Sequence, residues 1–296
     1  MGTMKNDWLL DYRKNVTSEH GEDGIIAKIF EVLGEGGKWC VELGALNGKH
    51  DSNVWTLIKN REWNAVLIEA DQTYFERLLE EHKGNKRVQG VQAFVSFEGE
   101  HRLDALFAAT ALPKTFDLFV LDIDGNDYHL WDSLNDYRPR VMVIEFNPSI
   151  PDSISFIQPR DMNVYQGSSL RAIVELGKKK GYELVCVRAG NAFFVEQALF
   201  SAFGITDNSL EALHSDHSYE TQFFQLYDGT LKLAGNKELI WHRTPLREED
   251  IQVLSKRRRQ YPAKISSSGT LRSVKYWVRK QPWYGALQRV RKAVWK

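Results

Sequence analysis

The sequence predicts an α/β fold, a mainly parallel β-sheet covered by helices on both faces. Five short apolar runs recur along the first half of the chain, with segments of helical periodicity between them. Strands that are apolar on both faces are typical of parallel sheets, because helices bury both of their faces. Two further strands are joined by a very short connection, which predicts an antiparallel hairpin, since a parallel crossover needs about a dozen residues.

The predicted elements follow from these patterns in chain order. A capped helix is predicted over residues 18–33. The five parallel strands are predicted within residues 38–45, 65–71, 88–95, 116–124 and 140–147. Apolar spacing near 3.6 predicts helices over residues 54–61, 73–82 and 170–180. The hairpin comprises residues 182–188 and 192–197, separated by Ala189, Gly190 and Asn191.

Composition favours a globular protein and excludes several classes. The 296 residues are 43% hydrophobic and 12% aromatic, and 39 Lys and Arg balance 39 Asp and Glu, so overall charge does not indicate nucleic-acid binding. No run approaches the roughly 20 apolar residues of a membrane-spanning helix. Cys40 and Cys186 are predicted to be buried, reduced thiols. We therefore expect a cytoplasmic location.

Charge segregation divides the chain into three predicted parts. Residues 1–200 form the α/β domain, and residues 201–255 form an irregular insertion or lid packed on it, with an Asp-, Asn-, Ser- and His-rich stretch at 206–219. Residues 256–296 hold 13 Lys and Arg, no Asp or Glu, and interleaved Trp and Tyr. This predicted helical tail favours docking on an anionic membrane surface, at the inner face of the membrane. The alternatives are packing against the acidic body or a homo-oligomer contact, and nucleic acid is the least favoured partner.

Five parallel strands, a helix and a terminal antiparallel hairpin together resemble the class I methyltransferases that use S-adenosylmethionine. The resemblance implies a Rossmann-like, seven-stranded sheet. The turn after the first strand, Glu42-Leu43-Gly44-Ala45-Leu46-Asn47-Gly48, lacks the GxGxxG spacing of dinucleotide sites. An ordinary glycine turn is the alternative for this segment.

The predicted cofactor-binding residues lie at the ends of the first four strands. Glu42 is placed to accept a hydrogen bond from the ammonium group of the cofactor. Glu69 lies 21 residues after Gly48. This spacing is typical of an acidic residue that accepts hydrogen bonds from ribose hydroxyls. Gln92 and Ala93 are placed beside the adenine ring. The full predicted set is Glu42, Gly44, Ala45, Gly48, Asn53, Glu69, Gln92, Ala93 and Asp122.

An acidic group is predicted where the fourth and fifth strands end. Asp122, Asp124 and Asp127 follow the fourth strand, and Glu145 and Asn147 end the fifth. Carboxylates gathered in one crevice repel each other unless they are protonated or bridged by a cation, and oxygen ligands suit Mg²⁺, Mn²⁺ or Ca²⁺. The alternative is that they cap helices and bind only the cofactor.

The pattern of this acidic group also resembles metal-dependent catechol-type O-methyltransferases. That resemblance implies Asp122, Glu145 and Asn147 as ligands of a divalent ion, Mg²⁺ or Mn²⁺. Such an ion would activate the acceptor hydroxyl. For the catalytic base the candidates are Asp124, Asp127 and His129.

Six segments within residues 17–197 together resemble the FkbM-type methyltransferases: HGEDGI, CVELGALNGKHDSN, LIEAD, LDIDGNDYHLW, VIEFNPSIP and GSSLRAIVELGKKKGYELV with NAFFV. The resemblance implies O-methylation with S-adenosylmethionine, commonly on a sugar hydroxyl. We therefore expect a glycan or sugar acceptor, in a bacterial cell-surface polysaccharide or lipid-linked glycan. The alternatives are methylation of a small secondary metabolite and a non-catalytic scaffold in a glycan-assembly complex.

Overall fold

The computed structural model describes residues 5–261, 277 and 279–281. It divides the chain into two compact units, Met1–Glu220 and Thr221–Lys296. The first unit thus includes residues 201–220, which were predicted to belong to an insertion. Most of the predicted basic tail, residues 256–296, lies outside the described residues.

The first unit is built on a seven-stranded sheet in the order β3-β2-β1-β4-β5-β7-β6. Its strands are β1 Trp39–Leu43, β2 Asn64–Glu69, β3 Val88–Gln92, β4 Thr115–Leu121, β5 Arg138–Glu145, β6 Tyr182–Arg188 and β7 Asn191–Glu196. The first five strands are parallel, and β7 runs antiparallel to both β5 and β6. The predicted α/β, Rossmann-like sheet with a C-terminal antiparallel hairpin is confirmed.

Seven α-helices are described in this unit: α1 Glu22–Leu33, α2 Trp55–Arg61, α3 Gln72–Glu81, α4 Leu103–Ala108, α5 Asp127–Ser133, α6 Leu170–Lys179 and α7 Leu210–Leu213. Helix α1 begins four residues later than the sequence pattern predicts. Gly21 precedes it in the left-handed region, with φ 102°. The chain before it loops around Asp23, whose carboxylate accepts the backbone N–H groups of Val16, Thr17 and Ser18.

Both faces of the sheet are buried, as parallel strands require. On one face Phe107 of α4 meets Phe119 of β4 in an edge-to-face contact, with the ring centroids 5.6 Å apart. On the other face Phe30 of α1 packs on Trp63, with the ring centroids 4.7 Å apart. Cys40 and Cys186 are buried and free. This packing fixes the carboxyl ends of the strands, where ligands bind in open α/β sheets.

The described part of the second unit contains two small antiparallel strand pairs. Strands β8 Thr221–Gln225 and β9 Leu231–Gly235 form one, and β10 Glu238–Leu239 and β11 Thr244–Pro245 form the other. Short 3₁₀ helices occur in the chain at Trp8–Tyr12, Gly99–His101, Gln197–Phe203 and Ile240–His242. Within the described residues, the helices are all too short or too polar to cross a bilayer.

Candidate functional site

A cavity of about 470 Å³ opens at the carboxyl ends of the parallel strands in the first unit. A volume in this range suits a small organic ligand. The predicted site residues that line it are Glu42, Gly44, Asn53, Glu69, Ala93, Asp122, Asp124 and Glu145. Six other predicted residues are outside the lining: Ala45, Gly48, Gln92, Asp127, His129 and Asn147.

The turn after β1 forms the floor of the cavity at Gly44. The φ of Gly44 is 80°, and a Cβ on this residue would lie 2.1 Å from the carbonyl oxygen of Asp122. The backbone N–H groups of Gly44 and Ala45 both donate to the carbonyl of Ile68, each at 3.1 Å. Only glycine fits such a close approach of β1 to the end of β4. Ala45 is buried behind the turn, and Gly48 lies against His82, whose Nε2 is 3.0 Å from the Gly48 carbonyl oxygen.

Glu42, the fourth residue of β1, presents a buried carboxyl group to the cavity. It accepts hydrogen bonds from the Ser52 hydroxyl and the Asn53 backbone N–H, both at 2.6 Å. Burial raises the pKa of Glu42 to about 7, although these two hydrogen bonds oppose the rise. The carboxyl group therefore changes charge near neutral pH.

Glu69 ends β2 and is positioned by the two turns beside it. One carboxylate oxygen accepts the backbone N–H of Leu46 and the other accepts that of Asp71, both at 2.8 Å. Each oxygen retains a lone pair for a ligand hydroxyl. Ala93 and Phe94 continue the cavity wall after β3, whereas Gln92 is exposed outside the lining.

Three carboxyl groups gather at the ends of β4 and β5. Asp124 has φ 58°, and its backbone N–H donates to the Glu145 carboxylate at 2.9 Å. Burial and the charge of Asp124 raise the pKa of Asp122 to about 7, against a hydrogen bond with Glu145. Burial, and then the charges of the neighbouring aspartates, also hold the pKa of Glu145 well above its ordinary value. Carboxyl groups this close together favour positive charge between them, either as bound protons or as a positively charged ligand.

Asp127 and His129, two of the predicted catalytic residues, lie on α5 beneath this group. The two carboxylate oxygens of Asp127 accept the backbone N–H groups of Ile123 and Gly125, at 3.1 and 3.0 Å. Burial raises the pKa of Asp127 to about 8. His129 Nε2 lies 2.8 Å from the carbonyl oxygen of Gln158. Asp127 is therefore engaged by the turn after β4, and His129 by the loop after β5.

Asn147, a predicted metal ligand, is held in a turn. Its Oδ1 accepts hydrogen bonds from the backbone N–H and the hydroxyl of Ser149, at 3.0 and 2.6 Å. Phe146, which precedes it, is buried in the core. Glu145 is therefore the residue at the end of β5 that reaches the cavity, and the structure brings it together with Asp122 without Asn147.

The cavity lining also includes residues outside the predicted site set, among them Phe94, Met162 and Asn191. Phe94 directly follows Ala93 and is 57% exposed. An aromatic residue at the end of a strand is a sequence signal that could have indicated a lining residue. Asn191 pairs with Glu145 in the β5–β7 register, so hairpin geometry alone places it at the same edge. Met162 lies in a long loop, and no sequence pattern indicates its position.

Comparison with known proteins gives structural likeness only. Neither protein-family models nor curated proteins match the chain. The N-terminal domain of EvdMO1, solved with SAH and D-fucose, is 15% identical over 60% of this chain and 84% of that chain, with a TM-score of 0.39. A SAM-dependent methyltransferase from Aquifex aeolicus is 13% identical over 65% of this chain and 97% of that one, at 0.38. The neocarzinostatin O-methyltransferase NcsB1 is 13% identical over 60% and 57%, at 0.35. Identities and TM-scores this low give no information about the activity of this chain.

Proposed function

We propose that this protein is an S-adenosylmethionine-dependent O-methyltransferase that acts on a sugar hydroxyl. The observation that carries the proposal is the acidic cavity at the ends of β1, β2 and β4, with Gly44 on its floor and Glu69 at its side. The cofactor has a positively charged sulfonium and an ammonium group. An acidic, partly buried cavity attracts both charges.

The lining residues fit the parts of the cofactor one by one. The turn at Gly44 leaves room for the amino-acid moiety beside the backbone, and the Glu42 carboxylate is available to its ammonium group. The carboxylate oxygens of Glu69 are available to the ribose hydroxyls. Ala93 and Phe94 offer an apolar wall to the adenine.

Asp124 is the best candidate for the base. When bound, the cofactor supplies an electrophilic methyl group, and the acceptor hydroxyl must lose a proton as it attacks. Asp124 is exposed and lines the cavity, whereas both carboxylate oxygens of Asp127 already accept backbone N–H groups. We therefore assign proton removal to Asp124, and we assign to Asp127 the positioning of the turn that carries it.

A divalent ion, Mg²⁺ or Mn²⁺, is a further part of the proposal. Asp122 and Glu145 would hold it, and it would lower the pKa of the acceptor hydroxyl. Their carboxylate oxygens are the ligand type that these hard cations prefer. Asn147 is left out of this ligand set because its Oδ1 is engaged by Ser149.

The acceptor is proposed from the sequence resemblance to the FkbM-type enzymes. It implies a sugar in a bacterial cell-surface polysaccharide or lipid-linked glycan. Met162 and Tyr165 line the cavity on the side of the loop after β5. Tyr165 is 61% exposed, and an aromatic ring of this kind can pack on a sugar ring.

Calorimetric titration with S-adenosylhomocysteine, with and without Mg²⁺ or Mn²⁺, tests the proposal. We expect binding that is weakened at least about tenfold in Glu69→Ala, a loss of about 1.4 kcal/mol. Glu76→Ala, an exposed glutamate of α3, serves as the control and should bind normally. Methyl transfer to glycan and small-metabolite acceptors then identifies the substrate class. Absence of binding in the folded protein would overturn the methyltransferase proposal and favour a scaffold role.

The predicted membrane docking of residues 256–296 is tested separately. Cosedimentation of the full chain with vesicles of phosphatidylcholine and phosphatidylglycerol should exceed that with phosphatidylcholine alone. Deletion of residues 256–296 should abolish the difference. Equal cosedimentation of both proteins would refute the proposal, and a change in oligomeric state on deletion would favour a homo-oligomer contact instead.

A further inference from the structure

A second group of ligand-type side chains lies outside the cavity lining, at Asp152, His214 and His217. Asp152 belongs to the loop after β5, and His214 directly follows helix α7. One ligand atom from each of the three residues lies within 4.8 Å of the other two. Among the described residues, this is the group of three or more His, Cys, Asp and Glu side chains whose ligand atoms lie close enough to share one metal ion.

His214 is the centre of this group. Its Nδ1 lies 2.9 and 3.0 Å from the two carboxylate oxygens of Asp152, close to the roughly 3.3 Å that separates two ligands of one tetrahedral zinc ion. The side chain is 3% exposed. The His214 atom that faces Asp152 is Nδ1, so neutral Nδ1 and the carboxylate can bind one metal ion in place of the hydrogen bond between them.

The neighbouring residues complete a metal-binding environment. The rings of His214 and His217 have centroids 4.7 Å apart. His217 Nδ1 lies 2.7 Å from a carboxylate oxygen of Glu220, a contact that orients the imidazole and leaves Nε2 as the ligand, as is usual for metal-bound histidine. Arg171 donates to the backbone carbonyl of Asp152 rather than to its carboxylate. The Asp152 carboxylate thus remains directed at the histidines.

We propose that Asp152, His214 and His217 bind a transition-metal ion, with Zn²⁺ as the ion that this donor set suits. Two imidazoles and one carboxylate are typical zinc ligands, whereas Mg²⁺ and Ca²⁺ prefer oxygen ligands alone. The ion would join the loop after β5 to a segment 62 residues further along the chain. That loop also carries Met162 and Tyr165 of the cavity wall.

Binding of Zn²⁺ to untagged full-length protein, after chelator treatment and dialysis, tests the site by competition with a chromogenic chelator. We expect one Zn²⁺ per chain, with the affinity lowered at least about tenfold in His217→Ala. The His217 side chain is 46% exposed, so this variant should fold, which circular dichroism checks. His101→Ala, an exposed histidine outside the group, should bind as the wild type does.

Two further measurements separate this site from the acidic cavity. Co²⁺ bound in place of Zn²⁺ should give the visible absorption of a tetrahedral nitrogen and oxygen site, and Mg²⁺ in excess should not displace it. Zn²⁺ should raise the melting temperature of the wild type and not that of His217→Ala. No Zn²⁺ bound in competition, or equal affinity in the wild type and His217→Ala, would overturn the proposal whether or not S-adenosylhomocysteine binds.

Discussion

Replacing Glu42 by glutamine removes a carboxyl group that burial keeps protonated up to about pH 7. In the unfolded chain its pKa returns to the ordinary value of 4.5. Between these values the folded protein holds a proton that the unfolded chain has released. The stability due to Glu42 is therefore fully present below pH 4.5 and is lost as the pH rises through about 7.

The size of the effect follows from the two pKa values. Their difference corresponds to about 3 kcal/mol, of which about 2.5 kcal/mol develops between pH 5 and pH 8. Glutamine stays uncharged and can still accept a hydrogen bond from the Asn53 N–H. Its amide forms a weaker hydrogen bond with the Ser52 hydroxyl, at a cost of about 1 kcal/mol. We expect Glu42→Gln to be about as stable as the wild type at pH 5 and about 2 kcal/mol more stable at pH 8.

Urea unfolding at pH 5 and pH 8, followed by tryptophan fluorescence without ligand, measures these free energies of unfolding. Glu80→Gln is the matched control, because the Glu80 side chain is 73% exposed and its carboxyl group stays in water. It should change stability little at either pH. If the difference between Glu42→Gln and the wild type is the same at pH 5 and pH 8, burial does not control the ionisation of Glu42 and the reasoning fails.

Three further predictions concern the turn, the loop before α1 and ligand affinity. Gly44→Ala should cost more than about 2 kcal/mol of stability, from its positive φ and its contact with β4, whereas Gly37→Ala, which has room for a Cβ, should stay within about 0.5 kcal/mol in thermal unfolding. Although burial opposes it, hydrogen bonds from three backbone N–H groups lower the pKa of Asp23. Asp23→Asn should therefore cost about 2 kcal/mol at pH 7 in urea unfolding, and the loss should shrink as the pH falls below about 4. In calorimetry, S-adenosylhomocysteine affinity should rise up to about tenfold from pH 6 to pH 8 as Glu42 ionises, and a flat profile would argue against a contact with the ammonium group.

Much of the fold was predictable because its signals are local. Apolar runs mark all five parallel strands, and the Ala189-Gly190 connection is too short for anything but a hairpin. The start of α1 was predicted too early because the Ser18–Gly21 segment reads as helical in sequence. Its backbone instead turns to satisfy the Asp23 carboxylate, which is a contact between residues of the folded loop.

The candidate site was predictable where strand direction alone decides position. Glu42, Glu69, Asp122 and Glu145 end neighbouring strands or sit near their ends, and parallel pairing brings them to one edge of the sheet. Asn147 and Asp127 lie beyond those ends. Their side chains bond to nearby backbone N–H groups, and a sequence gives no measure of that local competition.

The sequence by itself determined the parallel sheet, its hairpin and the acidic edge, since apolar periodicity and short connections act over a few residues. Only the tertiary structure decided which of the acidic side chains share the cavity and which support its walls. It also brought Asp152 to His214, 62 residues further along the chain, and to His217. Such contacts depend on how separate loops pack, and that packing is set by the whole core rather than by any local pattern.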